Sequence, residues 1–355
     1  MRVFRPILAV FLPLILIAQE RSREPQADFR TTVSVVTAPV TVLDSDGNYV
    51  SDLQPHDFRL FDNRKEQNIK VDVHFQPISL VIAVQASAAV EEVLPQVRKI
   101  GSLIEPMVVG ERGEASVVAF DGRVRVLQEF TADFDKISAA LKKLTPGSGS
   151  SRLIDGVTQG IRMLRSRPTD HRRVLLLISE TRDRSSEGRV REALIDAQLA
   201  NVTVYTVNVS RFLTTLTAKP GWPRPDPQLP AARPMPPGVA PTPHTAGQVA
   251  TKEGQSAANF VPLMVELYKD VKAIFIDNPV EVFTRGTGGR EYSFMRQKAL
   301  EEAISNIGEE LHSQYLLTYT PNNKEEGGFH EIKVTVARRV GEVRTRPGYW
   351  VASSF

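Results

Sequence analysis

The sequence predicts an α/β fold: a doubly wound, mostly parallel sheet inserted between β-rich N- and C-terminal segments. Three observations predict it. Ile78 to Val84 is a nearly continuous apolar run, as expected of a strand buried on both faces of a parallel sheet. The run stops at the small turn Gln85-Ala86-Ser87-Ala88-Ala89, and a helical stripe follows over Glu91 to Met107, carried by Val93, Val97, Ile100, Ile104 and Met107. Strand and helix signals then alternate as far as Ser313, whereas both ends of the chain show the period of two of exposed strands. A strand feeding a turn and then a helix puts that turn at the carboxyl edge of the sheet, where open α/β sheets bind ligands.

In chain order, residues 1–18 carry Arg2 and Arg5 and then the apolar segment Ile7 to Ala18, broken by Pro13. This is the pattern of a secretory signal peptide, too short for the roughly 20 residues of a membrane-spanning helix. Residues 19–31 read as a polar spacer. The N-terminal β segment, 32–76, starts with a strand through Val33, Val35, Val36, Val40, Val42 and Leu43. The turn Asp44-Ser45-Asp46-Gly47-Asn48 follows, then short strands at Tyr49-Val50, Phe58 to Phe61 and Ile69 to Val73, with a turn at Asp62-Asn63. A segment of about 45 residues buries too little surface alone, so it is expected to pack on other strands.

The α/β region spans 77–313. Strands are predicted at Ala115–Phe120 and Val124–Phe130, joined by a hairpin turn at Asp121-Gly122. A helix is predicted from Asp133 to Leu144, with Thr131 as its N-cap. Pro146 to Ser151 reads as a flexible loop opening a helix with the stripe Leu153, Val157, Ile161 and Leu164. The strand Arg173–Ile178, the exit loop Ser179–Ser186, a helix Glu187–Ala200 and a strand Val202–Val209 complete the alternation. Residues 212–258 form a Pro-rich insertion, with ten prolines between Lys219 and Pro243, too many for a packed element. Helices return at Phe260–Ile276, at Pro279–Arg285 (ended by Gly286-Thr287-Gly288-Gly289) and at Gln297–Ser313, with a short strand at Glu291–Phe294. The C-terminal β segment, 314–355, carries strands at Tyr315–Tyr319, Phe329–Ala337 and Val343–Arg346, and the two β-rich ends are expected to pair into one sandwich-like module.

Net charge is +3, and the leader's two arginines account for all but +1 of it, so no nucleic-acid footprint is present. A membrane is implied only through an uncleaved leader. There is no cysteine, no phosphate loop with Gly-Lys-Ser/Thr, no His-Glu-x-x-His and no Gly-x-Ser-x-Gly. The six histidines show no helical pair for zinc. Arg182, Arg184, Arg189 and Arg191 gather near the exit loop and read as scattered surface charge or, alternatively, as a patch for an acidic partner.

Three segments together resemble the metal-site loops of a von Willebrand factor type A domain. The family's Asp-x-Ser-x-Ser stands here as Gln85-x-Ser87-x-Ala89, its Gly-Gly-Thr loop resembles Gly149-Ser150-Ser151, and its Thr/Ser-Asp-Gly resembles Ser179-Glu180-Thr181. More narrowly, the chain is similar to secreted von Willebrand factor A-related proteins of the Acidobacteria type. Val40-Thr41-Val42-Leu43-Asp44, Asp57-Phe58, Thr287-Gly288-Gly289, Gln314 to Tyr319 and Gly348-Tyr349 carry that likeness. The resemblance implies a non-enzymatic, exported protein-interaction or adhesion module, with Gln85, Ser87, Ala89, Ser151, Arg152, Glu180 and Arg182 in its partner-binding loops.

In the family, hydroxyls and carboxylates hold one Mg²⁺, an ion that wants about six oxygens near 2.1 Å. Here Ser87, Ser151 and Glu180 remain as metal donors, Gln85 is neutral and Ala89 offers nothing, so the site is expected to be degenerate, empty or weak for Mg²⁺ or Mn²⁺. Arg152 or Arg182 beside Glu180 could replace the ion's charge, and Asp155 is expected to brace its own loop. The other readings are an envelope structural protein acting through the β module or the Pro-rich tract, and a hydrolase using Ser87, which lacks a base. The protein partner and the oligomeric state are not encoded legibly.

Overall fold

The computed structural model describes residues 35–72, 76–210, 278–293, 297–323 and 325–351. The predicted leader and spacer, the Pro-rich insertion and the helix at Phe260–Ile276 lie outside the described residues.

In chain order the elements are β1 (Val36–Leu43), β2 (Phe58–Asp62), β3 (Lys65–Glu66), β4 (Ile69–Asp72), β5 (Ile78–Gln85), α1 (Leu94–Val97), α2 (Gly101–Ile104), β6 (Glu114–Phe120), β7 (Val124–Thr131), α3 (Phe134–Lys142), α4 (Leu153–Arg165), β8 (Arg172–Ser179), α5 (Val190–Leu199) and β9 (Val202–Asn208). They continue as α6 (Pro279–Thr287), β10 (Glu291–Ser293), α7 (Gln297–Ser313), β11 (Tyr315–Tyr319), β12 (Gly328–Val336), β13 (Glu342–Thr345) and β14 (Gly348–Val351).

The central sheet has the order β10-β9-β8-β5-β6-β7 and is parallel except for β7, which returns antiparallel on β6. All eight residues of β5 are buried. Ile78, Leu80, Ile82 and Val84 join one core with Leu94, Ile104, Ile137 and Ile304, while Val81 and Ala83 join the opposite core with Leu153, Val157, Leu194 and Phe283. Helices on both faces are the reason the run is continuous rather than alternating.

The two ends of the chain interleave. One sheet runs β13-β1-β11-β4 and the other β14-β12-β2-β3, each drawing strands from both ends. Val40, Leu60, Leu317 and Val334 share a single core between them. Asp62 stitches the sheets together inside that core. Its carboxylate accepts from Tyr319 of β11 at 2.9 Å, from Tyr349 of β14 at 2.7 Å, from Asn323 at 3.0 Å and from His330 of β12 at 2.7 Å. The other ring nitrogen of His330 faces the Glu326 carbonyl, so both nitrogens meet acceptors, an arrangement that favours the doubly protonated ring.

A second buried cluster joins the sandwich to the α/β layer. Glu310 of α7 accepts from Tyr205 of β9 at 2.8 Å and pairs with Arg344 of β13. Gln314, between α7 and β11, reaches Thr41 of β1 at 2.9 Å and also Arg172 of β8. Burial and Glu310 push the Tyr205 phenol well up.

Four expectations are corrected. The segment 91–107 is not one helix: it runs as a 3₁₀ stretch Ala88–Val93, then α1, α2 and a π turn Glu105–Val109. Pro95 and Pro106 lack the N–H that a continuous helix needs, yet Val93, Val97, Ile100 and Ile104 are still buried. The cap of α3 is Asp133, which accepts from Lys136 N, while Thr131 accepts from Asp133 N at 3.0 Å. The helix expected from Glu187 begins at Val190. Tyr49 forms only an isolated bridge to Leu43. At the end of α6, Gly288 adopts φ 83°, and a Cβ there would lie 2.8 Å from Arg346 N, so the αL cap requires glycine.

The Asp62 cluster sets a pH dependence. Burial pushes His330 toward neutrality, but its bonds to Asp62 and the Glu326 carbonyl outweigh that and raise it. Burial likewise opposes charge on Asp62, and His330, Tyr349 and Asn323 outweigh it and lower it. The His330 contribution is therefore complete below about pH 6.5 and is lost as pH rises through its higher folded value. That of Asp62 is complete above about pH 3.9 and is lost on acidification. The urea midpoint of the wild type should fall as pH rises from 6.5 (roughly the free-histidine value), and His330→Gln should flatten that slope. Asp62→Ala should lose about 3–5 kcal/mol; an unchanged urea midpoint would refute the role of the cluster.

Candidate functional site

Three strand ends converge at the carboxyl edge. β5 leads into the turn at Gln85 to Ala89, the 146–152 loop precedes α4, and β8 leads into the 179–189 loop. Backbone bonds stitch the loops together. Gly147 N donates to Ala86 O at 2.7 Å and Ala88 N to Ser148 O at 3.0 Å. Arg184 N and Ser185 N donate to Ser151 O at 2.9 and 3.2 Å. A Cβ on Gly147 would fall 1.6 Å from Asp121 Oδ2, so the second loop approaches the hairpin after β6 as only glycine allows.

Gln85 is the centre of the site and is buried. Its Oε1 accepts from Glu180 N at 3.0 Å. That bond fixes the amide, because only the oxygen can face a backbone N–H. Nε2 therefore points the other way, donating to Ser87 Oγ at 2.8 Å and to Glu180 Oε1 at 3.2 Å. One neutral amide bridges the ends of β5 and β8.

The remaining candidates divide. Ser87 and Ser151 are fully buried, and the Ser151 hydroxyl has no hydrogen-bond partner among the described residues. Ala89 is partly buried and Ala88 exposed. Arg152 does not approach Glu180; it pairs with Glu187 at 2.9 Å and Asp155 at 3.5 Å. Arg182 is exposed, and Arg184 takes the place expected for it, 3.5 Å from Glu180.

Asp155 meets its own loop only at the Arg152 side chain; its backbone bonds go elsewhere. Its carboxylate accepts from Glu187 N at 3.1 Å and Gly188 N at 2.9 Å, across in the 179–189 loop. That loop answers in kind: Asp183 accepts from Ile154 N at 3.3 Å and Ser186 Oγ from Asp155 N at 3.1 Å. The N-terminus of α4, whose N-cap Arg152 supplies no side-chain bond, is capped from another loop. Sequence reasoning placed Arg184 only in the arginine cluster near the exit loop and passed over Asp183 and Ser186. The spacing Asp183-x-x-Ser186 is an Asx-type turn signal, and it closes here at 2.6 Å between the side chains.

This donor set does not fit a divalent cation. A cation among Ser87, Ser151 and Glu180 would face the N–H of Gln85, with one carboxylate to balance it and a guanidinium already beside that carboxylate. Among the described residues no group of three or more His, Cys, Asp or Glu could hold a metal ion.

Removing the Asp155 carboxylate should loosen the third loop selectively. In Asp155→Ala, amide hydrogen exchange at Glu187 and Gly188 should accelerate, with a stability loss of about 1–3 kcal/mol; unchanged exchange at those two amides would contradict this bracing.

The family model of the von Willebrand factor type A domain matches residues 83–182, the stretch holding all three loops. No curated protein matches the chain. Among solved structures, the conserved hypothetical protein BatB from Bacteroides thetaiotaomicron is 13% identical, with a TM-score of 0.31 over 37% of this chain and 66% of that one. The von Willebrand factor domain of the type V pili tip protein Mfa5 from Porphyromonas gingivalis is 16% identical, with a TM-score of 0.27 over 30% of this chain and 39% of that one. An aerotolerance-related membrane protein from Bacteroides fragilis is 12% identical, with a TM-score of 0.37 over 65% of this chain and 98% of that one. The similarity to a von Willebrand factor type A domain thus rests on residues 83–182.

Proposed function

We propose that this von Willebrand factor type A chain is an exported, non-enzymatic protein-interaction module that engages its partner through the carboxyl-edge loops without a metal ion. The observation that carries the proposal is the Gln85 amide, which joins Ser87 to Glu180 where the family uses a cation. The loops are thereby held in place before any partner arrives, which lowers the ordering cost of binding. Exposed Arg182, Arg184 and Arg189 border the face and offer it polar contacts.

Chemistry at the serines is disfavoured by their partners. Ser87 Oγ is met by an amide N–H, which cannot take its proton. His171 does meet a serine, Ser79, at 2.9 Å, but that side chain is fully buried and donates to Glu114 at 2.6 Å. Export rests on the leader-like residues 1–18; among the described residues no helix is long and apolar enough to cross a membrane. The domain division at 32–76, 77–313 and 314–355 belongs to the same proposal.

Titration calorimetry with Mg²⁺ and Mn²⁺ tests the metal claim. The native chain should give no binding heat, and Gln85→Asp/Ala89→Ser, which restores a carboxylate and a hydroxyl, should bind Mg²⁺. Tight binding by the native chain would sink the claim. A partner captured from the extracellular or envelope fraction should stay bound in chelator and be released by Arg182→Glu/Arg184→Glu; retention by that variant would move the interaction to another surface, such as the β module.

A further inference from the structure

A cleft of about 620 Å³ lies at the opposite, amino edge of the parallel sheet, between the starts of β8 and β9 and the sandwich strands β1 and β11. Its volume is that of a small-molecule site. Val36, Pro39 and Leu316 give it an apolar wall, and three arginines and a histidine, Arg172, Arg173, Arg346 and His171, stand among otherwise neutral side chains; no Asp or Glu is among the described residues lining it.

The arginines are partly explained by the helix ends. Arg346 donates from one terminal nitrogen to Gln198 O at 3.3 Å, and Arg173 donates to Ala200 O at 2.9 Å and to Arg167 O at 2.6 Å. Cations belong at such carbonyls. The capping anchors the Arg173 and Arg346 guanidiniums two residues apart on the last turn of α5, but it leaves a remainder. The Nε–H groups of both are buried with no hydrogen-bond partner among the described residues. Arg346 as a whole is 3% exposed. Gln198, also 3% exposed, has an unpartnered Oε1, and its orientation is fixed because Nε2 donates to Gly286 O at 2.8 Å. Unmet buried donors on charged groups are costly, and burial lowers both guanidiniums from their usual range.

We infer that this cleft is a second binding site, taking a small organic carboxylate. The lining carries three guanidiniums and no carboxylate among the described residues, which suits an anion, and the apolar residues beside them suit an organic carboxylate better than the more strongly hydrated phosphate. The wall of Val36, Pro39 and Leu316 receives an apolar body. The site is independent of the carboxyl-edge loops, so it stands whether or not they bind a partner.

The test is calorimetry and thermal unfolding of the full chain with phenylacetate, its neutral isostere phenylacetamide, and inorganic phosphate. Phenylacetate should raise Tm with concentration and bind roughly tenfold or more tightly than the other two. Arg346→Lys keeps the charge but loses the Nε–H, and should weaken phenylacetate roughly tenfold. Thr318→Trp narrows the cleft from β11 without touching either arginine, and should do the same should Arg346→Lys fail to fold. No binding by any probe (a cleft holding water only), equal binding of acid and amide, or wild-type affinity in both variants would each overturn the inference. Tighter binding of phosphate than of phenylacetate would overturn the carboxylate assignment.

Discussion

The buried carboxylate of Glu310 is the point on which the assembly of the chain depends. It sits on α7, is fully buried, and meets Tyr205 from the central sheet and Arg344 from the sandwich. A charge in that position is tolerable only because its partners arrive from both layers at once. Removal of one partner of such a pair costs about 3–5 kcal/mol, so the two layers are energetically conditional on each other. Burial opposes the charge on Arg344, and Glu310 overcomes it and holds the guanidinium above its usual range.

At the carboxyl edge the same principle operates with a neutral group. The Gln85 amide has one acceptor and two donors, and it uses them on a backbone N–H, a hydroxyl and a carboxylate. The loops it joins are further tied through the capping of α4 by Asp183 and through Asp155. Residues distant in sequence are thus joined by side-chain hydrogen bonds within the protein. The Asp62 cluster plays the corresponding part inside the sandwich, where Tyr319 reaches it from the facing sheet.

Much of the fold was legible because burial on two faces leaves an unmistakable apolar run at Ile78–Val84, and because the stripes of α4 and α7 follow a helical period. The segment after β5 was misread where two signals compete: the apolar spacing of 91–107 is helical, but Pro95 and Pro106 break the ladder that would make it one helix. At the site, the substitution of Gln85 was visible, while its consequence was not, since that depends on which way an amide is turned. Arg184 displaced Arg152 and Arg182 because loop geometry, rather than proximity in sequence, decides which guanidinium reaches Glu180. The amino-edge cleft was illegible altogether. Arg173, Gln198 and Arg346 have no common motif, and only the meeting of α5 with β13 and β14 brings them to one wall.

α7 ends at Ser313 and β11 begins at Tyr315, so Gln314 is the entire connection, and its side chain is itself tied to Thr41 and Glu310. Mechanically, this junction has no slack. At this junction a tensile load on the sandwich passes to α7 through one hydrogen-bonded residue rather than through a coil that must first be drawn out. Within the sandwich, the antiparallel pairing of β1 and β11 would take such a load in shear.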